Sequence, residues 1–264
     1  MKIRILTLLL VVAALAGCKS EFERVRLSGD VDQIYQKGIE YYEKGDYQKA
    51  QALFELIINN FRGRKEAEDL YFKYANSHFY LKNYILAAYY FNNFKTTYPL
   101  SSLREEAEYM AAYANFKLSP IYRLDQFYTI KAIEGFQDFV NTYPKSERLA
   151  ECNRLIDGMR AKLEQKAFAE ATLYYDLREY QAALQSFENL LKDFPETKDA
   201  ERIRYLQVDA AYAWAANSIK EKRKERFEKV TEYIKLFRNK YPKSEFATDI
   251  KKTESLTRNA IKML

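Results

Sequence analysis

The sequence has 264 residues, enough for one elongated repeat array or for one to two compact domains. Only seven Gly and five Pro interrupt it, and 23 Tyr and 17 Phe bring the aromatic content to 16%. Few helix-breaking residues favour helix almost throughout, and so many tyrosines require many half-buried sites. The formal net charge of +6 is modest, and no nucleic-acid-binding motif accompanies the dense basic run at 220–226, so we expect no nucleic-acid partner.

Residues 1–17 are predicted to form a lipoprotein signal peptide. Lys2 and Arg4 supply its positive start, and an unbroken apolar run extends from Leu8 to Ala16. This run is too short to span a bilayer, which needs about 20 apolar residues. The segment is therefore expected to direct secretion and then to be removed.

The junction after this leader is typical of a lipid-attachment site. The sequence Leu-Ala-Gly-Cys at 15–18 resembles the bacterial lipobox, in which the cysteine is acylated and the leader is cut before it. We therefore expect covalent lipid on Cys18, a membrane anchor, and a lipidated tether at 18–30. The alternative is an ordinary signal peptide with a chance cysteine. Lys19 stands where Asp would signal inner-membrane retention, which favours the outer membrane.

Three stretches after the tether carry the same motif of two paired helices. The first helix has aromatic and small residues at helical spacing, a polar turn follows, and the second helix has Ala, then Phe, then an apolar residue. Small residues fit where two helices cross, because they let the backbones approach closely. The positions are Gly38, Tyr41, Ala50, Phe54 and Ile57; Tyr71, Tyr74, Ala75, His78, Ala87, Phe91, Phe94 and Pro99; and Ala167, Ala171, Tyr174, Ala183, Phe187, Leu190 and Pro195.

Two further pairs, the third and the fifth, are stretched. About eight extra residues at 119–127 separate the helices of the third pair, and the basic run separates those of the fifth. Four of the second helices end in Tyr-Pro or Phe-Pro, after which Ser or Thr can cap the next helix, and 102–105 resembles a capping box. We expect an all-α fold, an α-α superhelix of five helical hairpins of the tetratricopeptide-repeat (TPR) type.

A stretch without turn signals joins the third and fourth pairs. Its apolar residues keep steps of three and four, which predicts one long helix over about 146–177. Residues 246–264 suit a final helix that caps the last pair. The folded chain is therefore divided into 31–148, with hairpins one to three, and 149–264, with the long linking helix, hairpins four and five and the cap.

No pattern in the sequence supports catalysis. The chain lacks a phosphate-binding Gly-rich loop, a zinc-binding HExxH pair and a GxSxG nucleophile motif. His78 stands at an aromatic position of the helical motif, and Cys152 falls on the apolar stripe of the long helix. Both are predicted to pack in the core. We expect no enzyme activity, no metal, no cofactor besides the lipid on Cys18, and no small-molecule substrate.

The motif leaves one face of each first helix unused by packing. In TPR proteins these helices line the inner wall, and here their inward side chains are mostly aromatic or aliphatic, which on a secreted protein indicates a partner site. The alternative is that the same rings fill the groove or pack on the tether. The predicted peptide-binding residues are Tyr35, Ile39, Tyr42, Phe72, Asn76, Phe79, Tyr80, Tyr109, Tyr113 and Phe116.

The lipobox, the tether and five hairpins with the third and fifth stretched together resemble the BamD family of lipoproteins from the β-barrel assembly machinery. The more specific features are residues 109–112, the segment 119–127 and the long helix into 173–175. The resemblance implies that hairpins one to three bind aromatic C-terminal segments of unfolded outer-membrane β-barrel proteins. It also implies a BamA-like barrel protein as partner of the second half, and an outer-membrane protein that faces the periplasm.

The same resemblance implies partner contact at Arg160 and Lys162. Lys162 stands where Arg is usual, so bidentate pairing would be lost there. In the first half, Lys73 or Lys117 would meet the terminal carboxylate of a client. Two other classes of function stay open: a TPR coordinator of cell-wall synthesis, similar to CpoB in its Tyr-Pro-x-Ser repeat ends, and a periplasmic enzyme or sugar-binding lipoprotein. CpoB is usually soluble and carries an N-terminal coiled coil, and neither trait is found in this sequence.

Overall fold

The structure is a computed structural model of the chain, and it describes residues 20–264. The predicted signal peptide and Cys18 lie outside the described residues. Within 20–264 every regular element is an α-helix, which confirms the all-α prediction. The helices are α1 Glu21–Arg26, α2 Val31–Glu43, α3 Tyr47–Ile57, α4 Ala67–Tyr80, α5 Tyr84–Thr97, α6 Arg104–Leu118, α7 Phe127–Thr142, α8 Leu149–Asp176, α9 Tyr180–Asp193, α10 Ala200–Ala216, α11 Lys220–Lys240 and α12 Ala247–Lys262.

The stretch predicted as a tether contains the short helix α1. Ser20 caps it by accepting a hydrogen bond from the Glu23 backbone N–H. The Phe22 ring meets Tyr41 edge-on at 6.0 Å between centroids, and the Val25 side chain is buried. The last residues before the first hairpin are therefore held against it, and α1 is a structured part of the tether.

The chain divides into two compact units. Among the described residues, the first comprises 20–120 and 126–156, and the second comprises 121–125 and 157–264. The sequence placed the boundary at Leu149, whereas the units divide at Asp157, inside α8. This correction follows from packing: Cys152, Leu155 and Ile156 are buried members of the first unit although they belong to the long helix.

The first unit is built from three hairpins, α2 with α3, α4 with α5, and α6 with α7. Each hairpin closes around phenylalanines of its second helix, which are fully buried in all three. Burial of such a ring stabilises the fold by about 1.5–3 kcal/mol. These rings are Phe54, Phe91, Phe94, Phe136 and Phe139.

The two helices of a hairpin approach closely where the sequence has glycine. A Cβ atom added to Gly38 would lie 2.6 Å from Cε1 of Phe54, and one added to Gly135 would lie 2.9 Å from Cβ of Ala112. Such distances are shorter than van der Waals contact. The prediction that small residues mark the helix crossings is therefore confirmed at these two positions.

Three hairpin turns have the same backbone conformation. Gly45, Lys82 and Arg178 each lie at positive φ, near 60–80°. The residue after each one donates its N–H to a carbonyl five residues earlier, as in the bond from Asp46 N to Tyr41 O at 2.9 Å. This is the Schellman arrangement, which satisfies the last carbonyls of the first helix and reverses the chain. Only the first of the three turns has glycine at this position.

The ends of four second helices also share one geometry. Tyr98, Tyr143, Phe194 and Tyr241 precede Pro and take φ of −120 to −129° with ψ of 65–68°, outside the helical region. A Ser or Thr three residues further on accepts a hydrogen bond from the N–H two residues beyond it. These residues are Ser101, Ser146, Thr197 and Ser244.

The capping box predicted at 102–105 is wrong. Ser101, not Ser102, accepts the hydrogen bond, from the Leu103 N–H at 3.2 Å, and α6 begins at Arg104. Because the Tyr-Pro end fixes the path of the chain, the serine at the same distance from each proline is the one that caps the turn.

The second unit contains the remaining part of α8, then α9 to α12. The long helix was predicted over about 146–177 and is observed at Leu149–Asp176. Ala171 of α8 packs with Phe187 of α9 to form the fourth hairpin, and α10 packs with α11 to form the fifth. Ile250 and Ile261 of α12 cover the core of that last hairpin, as the capping prediction required.

Candidate binding surface

Six aromatic side chains form a continuous series of ring contacts across the three hairpins of the first unit. Neighbouring rings in the series lie 4.2–6.0 Å apart between centroids, which is the range of favourable aromatic contact. The series runs across α2, α3, α4 and α6, and we name it the aromatic ladder. Its members in order of contact are Tyr42, Tyr47, Tyr80, Phe79, Tyr113 and Phe116.

Tyr80 is the most open member of the ladder, with 50% of its surface exposed. One face of its ring stacks on Tyr47 at 4.2 Å and 16° between planes, so the ring is held in place. The other ladder rings are half-buried. A fixed, partly exposed ring gives a partner a large contact at low entropic cost.

Two lysines border the ladder. The Lys73 ammonium lies 5.7 Å from the Tyr42 ring centroid, but it is already paired with the Asp69 carboxylate. The Lys117 ammonium lies 5.6 Å from the Tyr113 ring, and the side chain is exposed. Lys117 is therefore the cation better placed to receive an anionic group at this end of the ladder.

Three of the predicted wall residues serve packing. The Tyr35 ring lies on buried Phe61 at 4.8 Å. Phe72 meets Phe91 and Phe94 edge-on. Tyr109 is only 4% exposed. Its ring packs on Phe136 and Phe139, while Arg148 covers it at 4.1 Å. As a correction to the prediction, Tyr109 is a core residue.

Two more of the predicted peptide-binding residues, Asn76 and Ile39, are not open to a partner in the way Tyr80 is. Asn76 is buried, and its side chain lies near the Tyr42 hydroxyl; burial raises the pKa of this hydroxyl, and Asn76 opposes that effect. Ile39 is half-buried against the core of the first hairpin. Asn76 therefore lies where the second hairpin meets the first, next to a ladder ring.

Tyr47 is the ladder member that the sequence analysis missed. It directly follows the turn at Gly45 and Asp46 and is not among the predicted peptide-binding residues. Tyr84 and Tyr180 occupy the equivalent positions after the other Schellman turns. The repetition of tyrosine after each turn was the sequence signal that this position has a structural role. For Tyr47, that role is to stack on Tyr80.

The predicted partner-contact residues lie on α8, within the second unit. Arg160 is exposed. Lys162 is half-buried, and burial lowers the pKa of its ammonium group. Arg160 is thus open to a partner, whereas Lys162 is part of the packed surface of the helix.

Two cavities open on the other side of the hairpins. One of about 470 Å³ is lined by Glu108 and Asn115 of α6, and a second of about 910 Å³ is lined by Tyr74 and Tyr89 among others. Neither lining includes a ladder residue. Glu108 and Asn115 lie on the face of α6 opposite Tyr113.

The described residues contain no group of three or more His, Cys, Asp or Glu side chains placed to hold a metal ion. In the same part of the chain, no helix has the length and apolar character needed to cross a bilayer.

Cys152 is buried, and burial raises the pKa of its thiol to about 11. Its predicted role in packing is confirmed.

Repeated helical hairpins with small residues at their helix crossings define the class as a TPR-type repeat protein. The chain belongs to the YfiO family of outer membrane lipoproteins, whose sequence profile matches residues 28–223 and 173–261. This membership confirms the resemblance drawn from the lipobox and the repeats.

Two curated relatives are similar over most of the chain. A protein of Aquifex aeolicus assigned as an outer membrane protein assembly factor BamD is 28% identical over 208 residues, covering 78% of this chain and 68% of its own. The outer membrane protein assembly factor BamD of Rickettsia prowazekii is 24% identical over 210 residues, covering 79% and 81%. Among solved structures, the TPR2AB domain of yeast Sti1 in its pHSP90 complex covers 88% of this chain and 99% of its own at 13% identity, with a TM-score of 0.39.

Proposed function

We propose that this protein is a non-catalytic scaffold for the assembly of outer-membrane β-barrel proteins. It is anchored in the outer membrane by lipid on Cys18 and faces the periplasm. Its aromatic ladder binds the aromatic C-terminal segment of an unfolded barrel protein, and its second unit contacts a BamA-like barrel protein. The names of the two relatives support the assembly role, and membership in a lipoprotein family supports the anchor.

The observation that carries the client-binding proposal is the half-exposed ring of Tyr80, fixed by Tyr47 and continued by Phe79 and Tyr113. A phenylalanine at the end of a client chain would extend this series of rings. Its carboxylate would then pair with Lys117, because Lys73 is occupied by Asp69. The ladder therefore supplies both an apolar contact and a cation for one chain terminus.

The second unit is proposed to contact the barrel component through Arg160, which is exposed on α8. Lys162 was predicted from the sequence to contact the same partner. It contributes less because it is half-buried and burial disfavours its charged form. The cell-wall coordinator and the sugar-binding lipoprotein stay as alternatives, and no feature of the described structure favours either over the assembly role.

The client-binding proposal is tested by fluorescence anisotropy with a labelled ten-residue peptide that ends in Phe with a free carboxylate. Combined Tyr80→Ala and Tyr113→Ala substitution is expected to weaken binding by about tenfold or more, because truncation of central aromatic contacts costs more than 1 kcal/mol each. Tyr89→Ala is the matched control, since Tyr89 is 58% exposed but lines a cavity on the other side. Equal affinity for the double variant and the control would place the site elsewhere.

Ladder substitution is a cleaner test than substitution of Tyr35 and Phe72, two of the peptide-binding residues predicted from the sequence. Both of those rings pack on core phenylalanines, so their removal lowers stability as well as any binding.

A further inference from the structure

The chain has a single histidine, His78, and it is buried in the second hairpin with 4% of its surface exposed. Its imidazole stacks on the Tyr90 ring at 5.2 Å and meets the Tyr74 ring edge-on at 4.8 Å. Neither ring nitrogen has a hydrogen-bond partner. The side chain is therefore packed like a phenylalanine while it carries two unsatisfied polar atoms.

Packing alone does not explain a histidine at this position. The helical motif requires only an aromatic ring there, and Phe would fill the same space without an unpaired polar group. An unsatisfied buried polar group costs about 1–3 kcal/mol. The property that histidine has and Phe lacks is a proton equilibrium near neutral pH. Burial lowers the pKa of His78, against the opposing effect of the Glu55 carboxylate.

The position of His78 in α4 connects it with the aromatic ladder. Two residues before it, the Asn76 side chain lies near the Tyr42 hydroxyl, and two residues after it, Tyr80 stacks on Tyr47. These two contacts join α4 to the first hairpin. A movement of α4 that released His78 would therefore disturb both of them.

We propose that His78 is an acid-sensitive latch within the second hairpin, and that its protonation loosens α4 from α5 and thereby weakens the aromatic ladder. The titratable groups around it are Tyr74 on its own helix, Tyr90 on α5 and Glu55 on α3. Glu55 is the one carboxylate among them. An imidazolium ion gains water or this carboxylate only by leaving the stacked position on Tyr90.

The direction of the pH effect follows from proton linkage. Because the folded state disfavours the proton, the unfolded state binds more protons between the folded pKa and the unfolded value of about 6.5. The contribution of neutral His78 to the free energy of unfolding is therefore complete above about pH 6.5. It decreases as the pH falls from this value towards the folded pKa. One linked proton changes the unfolding equilibrium constant by up to about tenfold per pH unit.

The latch is tested by urea unfolding of the wild type, His78→Phe and His78→Gln between pH 7.5 and 5.5, together with an NMR titration of the single imidazole. Aspartate and glutamate side chains ordinarily titrate near pH 4, below this interval. The wild type is expected to lose stability as the pH falls, with His78 titrating below its ordinary pKa. Both variants are expected to be insensitive to pH, and His78→Phe is expected to be the most stable of the three.

The latch is overturned if His78→Phe keeps the pH dependence of the wild type, or if His78 titrates at about 6.5 without loss of stability. Its effect on client binding rests on the function proposed above, so peptide affinity is measured at both pH values as a separate arm. Affinity that falls with pH in the wild type and stays constant in His78→Phe supports the regulation. No peptide binding at either pH rejects the binding surface, while the unfolding data still decide the latch.

Discussion

At the level of single residues, the three Schellman turns share one backbone conformation but not one residue type. Gly45 takes positive φ at no steric cost, whereas Lys82 and Arg178 take φ of 61° and 62° with a Cβ atom present. A left-handed conformation costs a residue other than glycine about 1 kcal/mol or more. The turn hydrogen bonds hold both residues in this conformation, so the strain is stored locally.

Lys82→Gly is therefore expected to stabilise the protein by about 0.5–1 kcal/mol, less than the full strain because glycine also makes the unfolded chain more flexible. Gly45→Lys is the reciprocal control and is expected to destabilise it. Urea unfolding followed by circular dichroism measures both. A loss of stability in Lys82→Gly would show that the lysine side chain contributes more than its backbone strain costs.

Residue identity was enough to predict the burial of His78 and Cys152, because each stands on an apolar stripe of a periodic helix. It was not enough to choose between Ser101 and Ser102 as the capping residue. That choice depends on the backbone path after the Tyr-Pro end, which a pattern of residue types does not contain.

At the level of elements, the helix crossings depend on the missing side chain of glycine. Gly38 faces Phe54, one of the fully buried rings of the first hairpin, at a distance too short for any Cβ atom. Gly158 in α8 is different, because a Cβ atom there would meet nothing within 4 Å. Substitution of each glycine by alanine therefore distinguishes the effect of close packing from the effect of helix propensity on stability.

Gly38→Ala is expected to destabilise the protein by about 1–3 kcal/mol, since overpacking outweighs the gain in helix propensity. Gly158→Ala is expected to stabilise it by up to about 1 kcal/mol, as alanine is the better helix former. Thermal or urea unfolding compares them. Stabilisation in both variants would contradict the close helix crossing in the first hairpin.

The helices themselves were largely predictable because apolar periodicity, polar turns and Pro ends agree with one another in each hairpin. The helix α1 was missed because six residues give too short a period to recognise. Its signals were present: Ser20 as a cap and Phe22 and Val25 three residues apart on one face.

At the level of the whole molecule, the sequence predicted a row of apolar side chains on the first helices of three hairpins. The structure brings six rings together in a row, but several of them are not the residues that were predicted. Whether an inward ring is open or packed depends on its neighbours from other helices, as Phe136 and Phe139 cover Tyr109. A helical pattern within one segment cannot supply this information, which is why Tyr109 was misplaced and Tyr47 was overlooked.

Charge and exposure then select the part of the row at which we propose that a client binds. Tyr80 is the open ring, and Lys117 is the exposed cation beside Tyr113. In the function proposed above, these two groups, one aromatic and one cationic, bind a chain terminus that ends in an aromatic residue and a carboxylate.

Site-specific photo-crosslinking in cells tests this account most directly, with p-benzoylphenylalanine placed at Tyr80 or, as the control, at Tyr89. The account predicts crosslinks from position 80 to newly made outer-membrane β-barrel chains, with far fewer from position 89. Crosslinks to these chains from position 89 alone, or from neither position, would contradict the assignment of the aromatic ladder as the binding surface.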